Sequence, residues 1–525
     1  MDDVTRWSWL FFALYAALML AFGFIGMRRV HGSDDFATAR GSYGPVFLAF
    51  AMTATTASGA TFIGLPALAY QAGYSALWYA LVYPLGVYIG VLICLKAVRR
   101  IGADFGSRSM PEYLGERYQS DGLRILAALF SILLLIYLAG QILSGALMFT
   151  ELLGLDLLTA LIVSAAVLGC YVSLGGAHAD ILTDGVQGAL MLLLAIGVLT
   201  MFLTGSGTDG GLARVHATLQ ATDPNLITPL NPTQGLFDSP WDLAAILFAH
   251  MPLGLLPHIG NKLWALRSDS EQRRFITLAF AFGLTLPLIT LGGILARVVL
   301  GDALFEPGQS PNNAIPALFI ATLPSWAAAA IGVGVLAAVM STADGLVIST
   351  SQIFANDLFR LSVAPRHFSH LSAAAIDRIG LRIGRTATVI ILIAATWIAW
   401  ETRERNVALL VWVGLGGMMA ATAAPLFLGV IWKRATAAGA YAGFVTGAAV
   451  FTLCHSNALS HSLFAAVNQS SWALALIEQA PNPYACSSLG MACALVAMSI
   501  VSLLTRPPDA SYLKRVYDQP TKTGD

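Results

Sequence analysis

The sequence is dominated by a succession of apolar stretches, each long enough to form a membrane-crossing helix. Such a helix needs about 20 mostly apolar residues. Only 11% of the residues are charged, whereas a soluble domain averages roughly 25%. With 57% hydrophobic residues, the chain lacks the charged shell that a soluble core of this size requires. We therefore expect an all-α polytopic protein of the cell membrane (plasma or inner), in contact with the lipid bilayer.

Charge balance and cysteine usage exclude further classes. The 29 Lys and Arg equal the 29 Asp and Glu, so no basic surplus exists to neutralise phosphates and we expect no nucleic-acid partner. The five Cys are scattered, with no CxxC motif and no Cys/His cluster. This spacing argues against a structural zinc site or a disulfide framework.

About thirteen spans are predicted when the chain is divided into apolar segments of bilayer length. They lie near 8–27, 45–70, 74–98, 125–149, 155–174, 184–204, 239–262, 275–299, 325–357, 386–401, 406–431, 436–455 and 484–505. The ninth is too long for one straight helix, so we expect it to tilt or to continue beyond the bilayer. The expected organisation is one transmembrane domain, 1–505, and a cytoplasmic tail, 506–525, too short to fold alone.

Basic residues orient these spans. Short cytoplasmic loops carry an excess of Lys and Arg. With the N-terminus outside, only five of the 29 basic residues lie outside and 24 lie inside. The five outer residues are Arg6, Arg214, Arg297, Arg403 and Arg405. The predicted topology has the N-terminus outside and the C-terminus inside.

Two spans contain helix-breaking residues at mid-membrane depth. The second has a small, hydroxyl-rich stretch at 54–61, and the seventh has two Pro and two Gly within 250–260. Irregular backbone is tolerated in a bilayer where it lines a cavity. Spans 2–6 and 7–11 form five-helix units of opposite orientation, so a broken first helix in each predicts inverted repeats, about 45–204 and 239–431. The alternative is that small residues allow close packing and the prolines merely kink span 7.

The ninth span carries adjacent hydroxyls at Ser341 and Thr342. Neighbouring residues point about 100° apart on a helix, so the pair offers two neutral oxygens to one cation beside the helix. In the alternative, each hydroxyl bonds back to the carbonyl four residues earlier, as intramembrane Ser and Thr commonly do.

Several motifs together resemble the sodium:solute symporter family over about residues 8–505. The stretch from Ala338 to Thr342, with Asp357 and Arg360 closing the helix, is similar to the family's signature. The other similar segments are Phe36-Ala37-Thr38-Ala39-Arg40-Gly41, Ser58-Gly59 with Gly64, and Leu174-Gly175-Gly176 with Asp184-Gly185-Val186-Gln187. The resemblance implies the leucine-transporter-like fold of two inverted five-helix repeats (5+5).

The resemblance also implies a sodium site, with sodium as the transported coupling ion. Its expected ligands are the backbone carbonyls of Ala54, Ala57 and Ala338 and the hydroxyls of Ser341 and Thr342. Several neutral oxygens suit a hard monovalent cation and hold it loosely enough for release. Thr56 and Ala60 depart from the proline-transporter pattern, which has Asp and Trp there, and this argues against proline as the substrate.

Asp184 matches a family Asp on the sodium exit route. Alternatively, its carboxylate complements the dipole at the start of span 6.

Substrate contacts are predicted at Ser58, Gly59, Tyr79, Gln141 and His258. Gln141 is a lone amide in an apolar span, so it either bridges helices or faces the central cavity. His258 follows Pro257 at the break in span 7, and its imidazole either meets the substrate or bonds a freed carbonyl.

The expected function is sodium-coupled symport of a small organic solute by alternating access, and a carboxylate such as pantothenate is the first expectation for the substrate. One alternative is a membrane sensor or input module that acts with a separate signalling partner. A membrane enzyme is not expected, since the intramembrane carboxylates and histidines form no evident cluster. His178 and Asp180 are close together, but they fall in a predicted inner loop.

Overall fold

The computed structural model describes residues 3–29, 38–460 and 469–517, and within these ranges the chain is helical without strands. Positions 36 and 37 of the family-like loop and 518–525 of the predicted tail lie outside the described residues.

The helices up to the middle of the chain include the predicted spans 1–6. They are α1 (Asp3–Arg29), α2 (Pro45–Thr56), α3 (Leu65–Ala72), α4 (Leu77–Phe105), α5 (Met110–Tyr118), α6 (Asp121–Phe130), α7 (Leu134–Leu153), α8 (Leu157–Thr204) and α9 (Gly211–Thr222). A π-helical turn, Ala60–Gly64, precedes α3.

The second half of the chain also begins with a broken helix, which is divided into α10 and α11. Its helices are α10 (Pro240–His250), α11 (Pro257–Gly260), α12 (Gln272–Thr285), α13 (Thr290–Leu300), α14 (Ala314–Thr322), α15 (Ser325–Gln352), α16 (Ala364–His367), α17 (Ala373–Glu401), α18 (Val407–Ile431), α19 (Ala437–His455), α20 (Ser471–Glu478), α21 (Pro483–Leu504) and α22 (Ala510–Tyr517). A 3₁₀ segment, Asn261–Ala265, follows α11, and a π-helical run, Ile353–Val363, extends α15.

Among the described residues, ten helices are long and apolar enough to cross a membrane, or up to 11 if the bent pair Pro240–Leu255 and Pro257–Ala265 is one span. The two parts of that pair meet at 52°. Two shorter apolar helices, Pro45–Thr56 and Leu157–Cys170, lie at the predicted second and fifth spans. The count of thirteen and the orientation of the termini stay predictions.

The structure has a break between spans 5 and 6, but it is shorter than the predicted inner loop. Helix α8 consists of two helical segments that meet at a kink at Gly176, with φ 53° and ψ −148°, and the second segment extends to Thr204. Glycine tolerates this conformation because it has no Cβ. His178 and Asp180 are therefore buried helical residues.

The tenth span begins earlier than its apolar window. Helix α17 starts at Ala373, with Ser372 accepting a hydrogen bond from Ala375 N–H as its N-cap. Arg378, Arg382 and Arg385 lie in the added turns, so hydropathy alone placed the start of the helix too late.

The C-terminal tail contains a docked helix. Tyr517 of α22 accepts a hydrogen bond from Arg117 (2.8 Å) and donates one to the carbonyl of Gly429 (2.6 Å). Arg100 donates to the carbonyl of Tyr517 (2.8 Å). These contacts hold the described part of the tail, which was expected to be too short to fold alone, against α4, α5 and α18.

Cys454 and Cys486 give a test of the packing of α19 against α21. Their sulfurs lie 3.0 Å apart, and both residues are buried. We expect copper phenanthroline with oxygen to couple the two thiols, lowering by two the thiols that maleimide labels after denaturation. The Cys454→Ser variant should lose no further thiols on oxidation. Labelling of all five cysteines after oxidation of the wild type would contradict this packing.

Candidate ion and substrate site

The break after α2 exposes backbone groups near the centre of the molecule. Helical geometry ends at Ala57, with φ −89° and ψ 88°, before the π-helical turn begins at Ala60. The freed N–H of Gly59 donates to Gln141 Oε1 (2.8 Å), and that of Ala60 donates to Ser58 Oγ (3.2 Å). Because buried backbone groups need partners, Gln141 stabilises the break by bridging α7 to it.

The carbonyl side of the same break faces the hydroxyl pair on α15. Ser341 Oγ lies 3.0 Å from the carbonyl oxygen of Ala54 and 2.9 Å from that of Ala338. Thr342 Oγ1 donates to the carbonyl of Thr55 (3.0 Å). Thus Thr342 bonds across to α2 rather than back along its own helix, whereas Ser341 does both.

Three of the five predicted sodium ligands therefore meet, and a fourth lies beside them. Ala54, Ala338 and Ser341 converge, and Thr342 lies next to them on α15. Ala57 is buried at the end of α2, and its carbonyl is not an acceptor of either hydroxyl in the described part of the chain. The structure supplies Thr55 in addition, a carbonyl that the motif did not indicate.

A buried charged cluster lies beside this arrangement, and we name it the aspartate–lysine cluster: Asp180, Asp184, Lys262 and Asp344. One carboxylate oxygen from each of the three aspartates lies within 4.8 Å of the others. Lys262 Nζ is 3.0 Å from Asp180 Oδ2 and also forms an ion pair with Asp184. All four residues are buried, so the expectation that intramembrane carboxylates form no cluster is wrong.

Thr55 joins the cluster to the hydroxyl pair. Its Oγ1 donates to Asp184 Oδ2 (2.6 Å) and accepts from Lys262, while its carbonyl accepts from Thr342. Asp184 lies two helical turns beyond Gly176, so the geometry does not favour its alternative role as a charge at a helix N-terminus.

Sequence reasoning missed Lys262 because it stood at the end of an apolar window, where a basic residue usually marks the membrane boundary. Asp180 was missed because it was placed in the predicted inner loop, whereas it lies in the helical segment that follows the kink at Gly176. The usable signal was an ionisable residue within bilayer reach of broken backbone, which is a functional candidate by default.

An aromatic cavity opens on the other side of the break. Its polar and aromatic lining comprises Ser58, Tyr79, Tyr83, Tyr137, His250 and Trp412. The Tyr79 hydroxyl accepts a hydrogen bond from Trp412 Nε1 (3.0 Å) and donates one to the Tyr484 hydroxyl (2.8 Å), and His250 Nε2 lies 3.5 Å from it.

The five predicted substrate residues separate into three groups. Ser58 and Tyr79 line the aromatic cavity. Gly59 and Gln141 bond to each other at the break. His258 lies elsewhere, in a second cavity with Asp180 and Lys262, and neither ring nitrogen has a hydrogen-bond partner among the described residues. Of the two roles predicted for His258, a hydrogen bond from its imidazole to a freed carbonyl is therefore not observed among the described residues.

Removing the Tyr79 hydroxyl should destabilise the cavity. In Tyr79→Phe the buried Trp412 N–H loses its acceptor, and an unsatisfied buried donor costs about 1–3 kcal/mol. We expect a lower melting temperature in detergent, measured by thermal unfolding. Tyr74→Phe is the matched control, since Tyr74 is only half-buried. Equal melting temperatures for the two variants would show that the Tyr79 hydroxyl contributes nothing.

Two solved structures share this arrangement of helices. A Na⁺-coupled sialic acid symporter in a substrate-bound outward-open state has a TM-score of 0.72 and 21% identity, covering 96% of this chain and 98% of that one. Mhp1, a nucleobase-cation-symport-1 family transporter in a closed conformation, has a TM-score of 0.53 and 14% identity, covering 92% and 97%. Together with the broken helices, these two likenesses define a leucine-transporter-like membrane fold.

Sequence comparison identifies the family within this fold. The chain is 26% identical over 515 residues to the high-affinity proline transporter PutP of Bacillus subtilis (strain 168), covering 95% of this chain and 98% of that protein. It is 27% identical over 459 residues to the sodium/pantothenate symporter of Escherichia coli (strain K12), covering 84% and 89%. The model of the sodium:solute symporter family matches residues 36–447, and the chain belongs to that family.

Membership confirms the resemblance inferred from the motifs. The family consists of transporters rather than enzymes, and its members take small-molecule substrates. Together with the apolar helices, it indicates a multi-pass protein of the cell membrane.

Proposed function

We propose that the protein takes up a small organic solute together with sodium by alternating access. The observation that carries this proposal is the convergence of Ser341 Oγ with the carbonyls of Ala54 and Ala338, at 3.0 Å and 2.9 Å, across a broken helix. Ser341 and Ala54 are 287 residues apart and lie on different helices, so opening or closing their contact requires α15 to move relative to α2.

Sodium is held in this proposal by Ala54, Ala338, Ser341 and Thr342, with Ala57 added from the family resemblance. Intramembrane polar groups at broken helices are the usual ion sites of such transporters. Asp184, linked to the site through Thr55, supplies the next oxygens on the ion's exit route.

The solute binds in the aromatic cavity in this proposal. Ser58 lines that cavity and follows Ala57 directly. Tyr137 lines the same cavity, and its hydroxyl interacts electrostatically with both Ser58 and Thr342, so one side chain links the solute cavity to the ion site. This contact supports coupling, because a solute that reorients Tyr137 also acts on Thr342.

The solute class is a small carboxylate that also carries hydroxyl or amide groups, with pantothenate first. The cavity is lined by hydroxyls, aromatic rings and aliphatic side chains, which suit such polar but partly apolar molecules. A sodium/pantothenate symporter is among the relatives. The neighbouring sodium ion then supplies the positive charge that a carboxylate needs.

Uptake into proteoliposomes tests this function. Radiolabelled pantothenate, proline and sialic acid are each supplied with an inward sodium gradient, and with choline replacing sodium. We expect sodium to stimulate pantothenate uptake, with little response for proline. Sodium-independent accumulation of every solute would refute sodium-coupled symport, and sodium-stimulated uptake of proline alone would refute the solute class.

A further inference from the structure

The aspartate–lysine cluster holds more negative than positive groups. It combines three carboxylates with the single ammonium of Lys262, and all are buried. Neighbouring carboxylates in a buried site favour any cation that can pair with them. The ammonium of Lys262 partly neutralises these carboxylates, because its Nζ contacts Asp180, Asp184 and the Thr55 hydroxyl.

A second observation is that the carboxylates of Asp180 and Asp184 have few hydrogen-bond donors around them. Asp180 Oδ1 and Asp184 Oδ1 have no hydrogen-bond partner among the described residues. The His258 ring, 2% exposed and likewise unpartnered at both nitrogens, lines the same cavity as Asp180 and Lys262. Among the described residues, the ammonium of Lys262 is therefore the cation with which Asp180 and Asp184 form ion pairs.

We propose that Lys262 is a fixed cation that fills a second cation site, so that this transporter couples to one mobile sodium rather than two. The ammonium occupies the position that an ion would take among Asp180, Asp184 and Asp344. This role is a positioning role and rests on the proposed function, since it concerns the number of ions that accompany the solute.

Lys262 links segments from the two halves of the chain. Lys262 belongs to the 3₁₀ segment after the second broken helix, whereas Asp180 and Asp184 belong to α8. Asp344 lies on α15, two residues beyond Thr342. A tethered cation therefore joins elements from both halves of the chain next to the proposed sodium ligands, and it cannot leave with the ion.

Binding of ²²Na⁺ to purified protein tests the proposal without knowledge of the solute. The main variant is Lys262→Met/Asp180→Asn, which removes one positive and one negative group and so keeps the formal charge of the cluster. We expect it to bind one more sodium per chain than the wild type. Asp180→Asn alone and Lys262→Arg are the controls, and both should bind the same number as the wild type.

The result that overturns the proposal is an unchanged sodium count in the double variant. If size-exclusion chromatography shows that the Lys262→Met/Asp180→Asn variant aggregates, Lys262→Met/Asp184→Asn takes its place, since it has the same formal charge. This second variant must also bind one more sodium per chain than the wild type. The proposed function fails separately: a wild type that binds no sodium contradicts the symport proposal, while a gain of one sodium in the variant still supports the role of Lys262.

Discussion

Replacing Ser341 and Thr342 together with Ala is expected to abolish sodium-stimulated uptake while the protein still inserts. The change removes both hydroxyls that face the carbonyls of Ala54 and Thr55. Polar contacts to a charged group contribute about 1.5–3 kcal/mol each, so losing two should weaken sodium affinity by more than about 100-fold. The measurement is initial uptake against sodium concentration in proteoliposomes.

The matched control removes two hydroxyls from the same helix at a distance from the break. Thr350 and Ser351 are also adjacent and buried on α15, and Ser351 bonds back to the carbonyl of Ile348 (2.9 Å). The Thr350→Ala/Ser351→Ala variant should keep the sodium dependence of the wild type. Undiminished sodium stimulation in the Ser341→Ala/Thr342→Ala variant would remove the basis for the proposed ion site.

The substitution Gly59→Ala is expected to reduce uptake by about tenfold or more. A Cβ at position 59 would lie 2.7 Å from Ser144 Cβ and 3.0 Å from Gln141 Oε1, closer than ordinary van der Waals contact. Overpacking of this kind costs about 1–3 kcal/mol. The strain would fall on the Gly59 N–H to Gln141 bond that holds the break, so both uptake and sodium affinity should fall together.

A compensating change tests that explanation. Ser144→Gly removes the nearest obstructing atoms, and its hydroxyl only bonds back to the carbonyl of Gly140. The Gly59→Ala/Ser144→Gly variant should therefore recover part of the lost uptake. Gly197→Ala is the control, since a Cβ there meets nothing within 4 Å. If Ser144→Gly gave no recovery, steric conflict with α7 would not be the cause.

Sequence patterns predicted the all-helical fold and the broken second span, because these depend on local features: apolar length and a run of small, hydroxyl-bearing residues. The convergence of Ser341 with Ala54 followed from family resemblance. The sequence around Ser341 does not indicate that its hydroxyl will meet the carbonyl of a residue 287 positions away. Whether sodium binds there stays a prediction.

The aspartate–lysine cluster could not be read from the sequence for a physical reason. Its members come from distant segments, and each has an ordinary interpretation alone: Lys262 as a boundary charge, Asp180 as a loop residue, Asp344 as a polar residue in a motif. Asp180 lies in the helical segment that begins after the kink at Gly176, and it is buried there. Hydropathy placed a break in this region but did not show that the helix resumes before His178.

A transporter that carries one mobile sodium, with its second positive charge built into Lys262, has a limited driving force. For an anionic solute the two transported charges cancel, so the membrane voltage does no work on the cycle. A tenfold sodium gradient alone supplies about 1.4 kcal/mol, which sustains only about tenfold enrichment of a monoanion. An uncharged solute would also gain about 2.3 kcal/mol per 100 mV. The tethered ammonium would thus make the cell's accumulation of an acid depend on its salt gradient rather than on its electrical state.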